Sequence, residues 1–204
     1  MNTSEVIEIT DFGSGSKVFN SNRRAIKDIA KTSGTSLKRA KLLYRLVSYF
    51  EPKNVLELGT SLGIGTISMA LASSDAKIVS IEGCPEISKF TKQQFEQLQI
   101  NNVQFINGSF SEIIPTLEHH NWDLIFFDGH HDKEATLIYF EQLLVKAHNE
   151  SVFIFDDIHW SKGMEEAWDI IKNHPKVSVT IDTFFWGFVF FRKEQAKENF
   201  VIRL

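Results

Sequence analysis

The chain has 204 residues, 43% hydrophobic and 24% charged, and a formal net charge of −4. That is room for one α/β domain with a sizeable core, and nothing in the overall charge points to nucleic acid. A single cysteine, Cys84, excludes an internal disulfide. Together with a polar, acidic N-terminus and no apolar run near the ~20 residues of a membrane span, it leads us to expect a cytoplasmic protein with no membrane partner.

Residues 1–20 are Ser/Gly-rich around FGSGSK and read as a mobile arm or lid. Residues 21–50 read as two helices broken at Ser33-Gly34. Leu37, Ala40, Leu43, Leu46 and Val47 fall on one face of the second, Ser36 is its N-cap, and Pro52 ends the region. Nine Lys/Arg and one acid, Asp28, lie between Lys17 and Arg45. We read this run as a solvated helical face rather than an anion-docking surface.

The pattern then turns to alternating strands and helices. Strands are predicted at 54–58, 77–82, 103–106, 122–128 and 151–157, each short, β-branched or aromatic, and nearly continuous in apolar residues. Parallel strands buried on both faces read this way. Eighteen phenylalanines against three tyrosines suit such a core. Helices are predicted between the strands at 64–73, 86–98, 110–118, 133–147 and 162–173, which implies right-handed crossovers. His119 and His120 fall in a helix-to-strand turn. VSVTID (177–182) and FFWGFVFFR (184–192) are too close for a crossover and must form an antiparallel hairpin. The expected fold is a doubly wound, Rossmann-like sheet of seven strands, mostly parallel, closed by that hairpin.

VLELGTSLGIGTISMA (55–70) is a strand, a Gly-rich turn and a helix. Gly59 and Gly63 let the backbone turn sharply and approach a ligand, and the following helix offers free N–H groups to a pyrophosphate or carboxylate. Glu82 ends the second strand, 23 residues after Gly59. A carboxylate there can accept both hydroxyls of a ribose, which points to an adenosine cofactor. The glycine spacing departs from the dinucleotide pattern G-x-G-x-x-G.

Two further strand ends carry reactive groups. FFDGHH brings Asp128, His130 and His131 to the edge after the fourth strand, and FDDIHW brings Asp156, Asp157 and His159 to the edge after the fifth. Ligands of open α/β sheets bind at this edge, where the strand order reverses. Crowded carboxylates repel unless a cation or a proton intervenes. A competing role for Asp156 or Asp157 is to cap the helix that begins near Ser161. His130 and His159 read as polar neighbours or substrate contacts, and Cys84 as a lining residue without a base partner.

E-L-G-T-S-L-G resembles the E/D-x-G-x-x-x-G motif of S-adenosylmethionine (SAM)-dependent methyltransferases. D-G-x-H, then D-D, then G-M-E-E-A-W resembles a class I subfamily that groups cephalosporin-hydroxylase-like proteins and macrolide-sugar O-methyltransferases, with catechol-type O-methyltransferases sharing the layout more distantly. The resemblance spans about residues 40–192. It implies SAM as cofactor, contacted by Glu57, Gly59, Thr60, Ser61, Gly63, Thr66, Glu82, Gly83 and Asp128. It also implies adenine contacts from Gly108, Ser109 and Phe110, residues that a turn and helix cap explain equally well. It further implies Mg²⁺ or another divalent cation on Asp128, Asp156 and Asp157, with His131 as general base. Catechol-type enzymes carry Asp-Asn where this chain has Asp156-Asp157, which leaves metal preference open.

The expected reaction is methyl transfer to a hydroxyl of a small-molecule acceptor, with Asp128 and His131 as catalytic residues. The alternatives are N-methylation, an NAD-dependent oxidoreductase, and a SAM-binding module without catalysis. Residues 51–204 are expected to form the methyltransferase domain. Residues 1–50 are expected to form an arm and helices that cover the crevice or make a homodimer contact.

Overall fold

The computed structural model describes residues 4–10, 22–32, 35–117 and 121–203. His119, His120, Ser33-Gly34 and residues 11–21 of the arm lie outside them. The chain opens with strands β1 (Val6–Glu8) and β2 (Arg23–Ala25), then helices α1 (Ile26–Thr32) and α2 (Leu37–Phe50). The alternating part runs β3 (Asn54–Leu58), α3 (Ile64–Ala72), β4 (Lys77–Glu82), α4 (Pro85–Gln97), β5 (Val103–Asn107) and α5 (Phe110–Ile113). It continues with β6 (Leu124–Phe127), α6 (Lys133–Leu144), β7 (Val152–Asp156) and α7 (Lys162–Asn173), and ends in β8 (Val179–Asp182), β9 (Trp186–Phe190) and β10 (Glu198–Val201).

The large sheet has the order β10-β8-β9-β7-β6-β3-β4-β5. β3 pairs in parallel with both β4 and β6, so the strand order reverses between β3 and β6. β9 runs antiparallel to both β7 and β8. The mostly parallel sheet with its C-terminal hairpin is the one expected, except that it has eight strands, not seven. The eighth, β10, pairs in parallel with β8 at the outer edge.

Alternation explains why the strands read as continuous apolar runs. Leu124 and Phe126 of β6, with Val152 and Ile154 of β7, face α2 and α3, whose Leu43, Val47 and Met69 join the same cluster. Ile125, Phe127, Phe153 and Phe155 point the other way, against Tyr139, Phe140 and Leu143 of α6 and Trp168 of α7. Both strands are covered on both sides, so neither face of either is polar.

The helices end where local chemistry dictates. Ser36 accepts the Arg39 N–H at 3.4 Å and caps α2, as expected, and Glu51 closes it in the left-handed conformation ahead of Pro52. Ser161 accepts the Met164 N–H at 3.2 Å and caps α7, so neither Asp156 nor Asp157 serves as that cap. The helix expected over 110–118 is one turn long and tightens into a 3₁₀ turn at Ile114–Thr116, because Pro115 has no N–H to continue it.

Residues 1–20 were expected as a mobile arm. The described part contains a strand instead: β1 pairs antiparallel with β2. Ile9 beyond it packs with Ile26, Ile29, Leu62, Cys84, Ile87 and Phe90. This cluster sits on α4 and against the turn that follows β3.

Gly187 of β9 faces the Trp168 ring, and a Cβ there would lie 2.6 Å from it. Trp168 is 2% exposed, enclosed in the core between α7 and the sheet. Gly187→Ala should therefore destabilise the fold by about 1–3 kcal/mol through overpacking, read from urea unfolding. Unchanged stability would show that this helix-to-sheet contact is loose.

Candidate functional site at the C-terminal edge of the sheet

The edge where β3, β4, β6 and β7 end collects most of the predicted residues. β3 closes in the turn Gly59–Gly63. Gly59 has φ 104° and Gly63 φ 75°, in the region that favours glycine. A Cβ on Gly59 would stand 2.2 Å from the Asp128 carbonyl oxygen, so the turn lies flush against the end of β6. Gly63 starts α3 with no side chain capping it, so the first N–H groups of the helix have no partner from its N-cap side chain.

Glu57 lies beneath this turn, 1% exposed. Thr66 and Ser80 each donate to its Oε2 at 2.5 Å, and Thr60 bonds Ser80 at 2.6 Å. Burial pushes its pKa from 4.5 to about 7, against the pull of those hydroxyls. Thr60 and Thr66, both buried, thus support the turn from within through Glu57.

Glu82 ends β4 as predicted. Its Oε2 accepts the Ser61 N–H and its Oε1 the Cys84 N–H, both at 2.9 Å. Thr91, which the sequence reading missed, donates to the Ser61 carbonyl at 2.8 Å and fixes the turn from α4. Gly83 follows Glu82, and its carbonyl accepts from Asn107 at 3.1 Å.

Ser109 forms a reciprocal capping box with Glu112 at the start of α5. The buried ring of Phe110 packs edge-on against Tyr139 and tilted against His130, both at 5.7 Å between centroids. Gly108 with φ 159° precedes them. The local cap and the Phe110 packing account for these residues, and their backbone lies beside the end of β4, since Gly108 donates to the Glu82 carbonyl at 3.1 Å.

Asp128, Asp156 and Asp157 do come together. Burial, then the Asp156 carboxylate with its charge and hydrogen bond, raise Asp128 well above the usual carboxylate range. Burial and Asp156 also raise Asp157, while His131 and Arg39 nearby pull it back down. His130, His131 and Asp157 have φ of 73°, 37° and 53°, so both strand ends turn through the left-handed region. His159 is engaged elsewhere: it pairs with Asp182 at 2.8 Å and Glu165 at 3.3 Å and stacks on Phe184.

The sequence reading missed Arg39, from the first turn of α2. Its Nη1 lies 3.3 and 3.4 Å from the two Asp156 oxygens, its Nη2 3.8 Å from Asp157, and its guanidinium 4.5 Å from the Phe185 ring centre. The only signal for it was the basic run Lys17–Arg45. The three carboxylates are hard oxygen donors suited to Mg²⁺. Yet a guanidinium stands against two of them, and among the described residues no group of three or more His, Cys, Asp or Glu is arranged to hold a metal ion. As they stand, these residues do not fit a divalent cation.

Comparison with known proteins bears on the family and the fold. A family model described as a methyltransferase domain matches residues 56–158, half of the chain. A catechol O-methyltransferase of Mycobacterium tuberculosis is 26% identical over 125 residues, 60% of this chain and 56% of that protein. The chain thus spans just over half the length of that relative. Among solved structures, the cofactor-bound Rv0187 from MTB aligns with a TM-score of 0.73 at 21% identity, covering 83% of this chain and 87% of that one. An O-methyltransferase from Bacillus cereus in complex with SAH aligns at 0.68 and 22% identity, covering 81% and 90%. At such identities these two show the fold. Among the described residues, no helix is long and apolar enough to cross a membrane.

The buried Glu57 makes stability pH-dependent. Below about pH 4.5 both folded and unfolded chains hold its proton; between there and about pH 7 only the folded chain does. Stability from this group is therefore complete below the unfolded pKa and lost as pH rises through the folded one, by about 3 kcal/mol. Glu57→Gln cannot titrate, so its stability relative to wild type should rise by that order between pH 4.5 and 7.5 in chemical denaturation. A constant difference would show that Glu57 titrates normally.

Proposed function

The chain belongs to the methyltransferase domain family, and we propose on that footing that it transfers a methyl group from SAM to a hydroxyl oxygen of a small molecule. The observation that carries this reading is the glycine turn flush on Asp128, with the Glu82 carboxylate bonded to its Ser61 N–H beside an uncapped α3. SAM, when bound, supplies a methyl group already activated by its sulfonium.

The chain's residues would then do the rest. Glu82 accepts the ribose hydroxyls. Gly59, Gly63 and the first N–H groups of α3 admit the methionyl end close to the backbone. Asp128 and the carboxylates beside it form the wall against which the acceptor is aligned, and alignment is where much of the rate is gained. His131 takes the hydroxyl proton as the oxygen attacks, since an imidazole is an effective base near neutral pH. No step is routed through the divalent cation expected at Asp128, Asp156 and Asp157, because Arg39 stands there. The acceptor is proposed to be a small molecule, and a homodimer contact through residues 1–50 is proposed as well.

Calorimetry with SAM, S-adenosylhomocysteine (SAH) and NAD tests the cofactor. The first two should bind and NAD should not; tight NAD binding without SAM heat would overturn the reading. Glu82→Ala should weaken SAH by about 1.5–3 kcal/mol, roughly ten- to a hundredfold. In a labelled-methyl assay over small hydroxylated acceptors, His131→Ala should lose about 10²–10⁴-fold in rate with SAH affinity unchanged. Full turnover by His131→Ala would remove it from the base role.

A further inference from the structure

We propose that Arg39 is the resident cation of this site, occupying the position a divalent ion would take and presenting N–H donors to the acceptor oxygen. The inference rests on the methyl-transfer reading and adds a residue to it.

Arg39 projects from the first turn of α2 to the end of β7, 117 positions away in sequence. Ala40, Leu43 and Val47 anchor the helix in the core, and Arg39 is absent from that buried stripe. Its guanidinium contacts both oxygens of Asp156 and one of Asp157 and lies over Phe185. Asp156, 6% exposed, also accepts the Asp157 N–H at 2.8 Å. A buried carboxylate needs a partner of opposite charge, and here that partner is covalently part of the chain.

The chemistry of a guanidinium suits the role. It stays protonated at any working pH, and its five N–H donors exceed what these two carboxylates occupy. An acceptor oxygen that enters above Asp157 would meet a fixed positive charge, which favours its deprotonated form. The ring of Phe185, half exposed, packs against the guanidinium at 4.5 Å and helps hold it in place. The acceptor class this favours carries a hydroxyl that becomes anionic in the reaction, with no need to chelate a metal.

Mn²⁺ serves as probe, because its binding is read directly by electron paramagnetic resonance without any acceptor. Wild type and Arg39→Lys should show no stoichiometric Mn²⁺ binding up to about 1 mM, whereas Arg39→Ala and Arg39→Gln, which free the carboxylates, should gain a site at least about tenfold tighter. Asp156→Asn in the Arg39→Ala background should abolish the gained site. Wild-type Mn²⁺ binding that Asp156→Asn removes would overturn the proposal. So would the absence of any gain in an Arg39→Ala or Arg39→Gln protein that melts cooperatively and binds SAH. SAH titration of wild type runs in parallel: its failure sinks the methyl-transfer reading and this inference with it, whereas SAH binding together with a wild-type Mn²⁺ site sinks the inference alone.

Discussion

The close approach of two backbones governs this edge of the sheet. Leu58 and Phe127 are paired in register at the ends of β3 and β6. One residue further, the Asp128 N–H bonds the Leu58 carbonyl at 2.8 Å, and the Gly59 N–H bonds the Ile81 carbonyl of β4 at 3.0 Å. Three strand ends are thereby tied at one point, and Gly59 is pressed so near Asp128 that no side chain fits between them. The cofactor turn and the first reactive carboxylate are two sides of a single contact, and neither can shift without the other.

Around that contact the fold has to hold five carboxylates, and it treats them differently. Glu57 is enclosed under α3, and burial lifts its pKa to about 7. Glu82 is held by two backbone N–H groups. Asp156 leans on Arg39. Asp128 is pushed well above ordinary acidity, because burial and Asp156 act on it together. In a medium of low dielectric, each of these solutions is costly if its partner is removed.

Much of this was legible in the chain itself. β3 and β4 match their predicted ranges to the residue, because apolar runs bounded by Lys, Asn and Gly leave little choice. β10 escaped notice because its four residues are all exposed and carry no burial pattern. β1 and β2, three residues each, are too short to show a period. At the site, the glycine turn, Glu82 and the two acidic strand ends stand in local motifs. Arg39 does not: it reaches its partners across more than half the chain, and one arginine among nine basic residues has no local mark. The protonated state of Glu57 was equally out of reach, since it depends on how α3 seals it from water and not on any neighbour in sequence.

Ser61, His130, His131 and Asp157 all hold left-handed backbone around the crevice. For residues with a Cβ this conformation costs about 1–2 kcal/mol each. Glycine at those positions would relax the chain, and asparagine nearly so. Natural proteins hold only a narrow stability margin, so these positions are where a lineage pressed by heat gains most easily. The strands beneath would be untouched by such changes. A thermally robust descendant would then keep the sheet and lose the crevice, and this part of the fold persists only under selection for what it does.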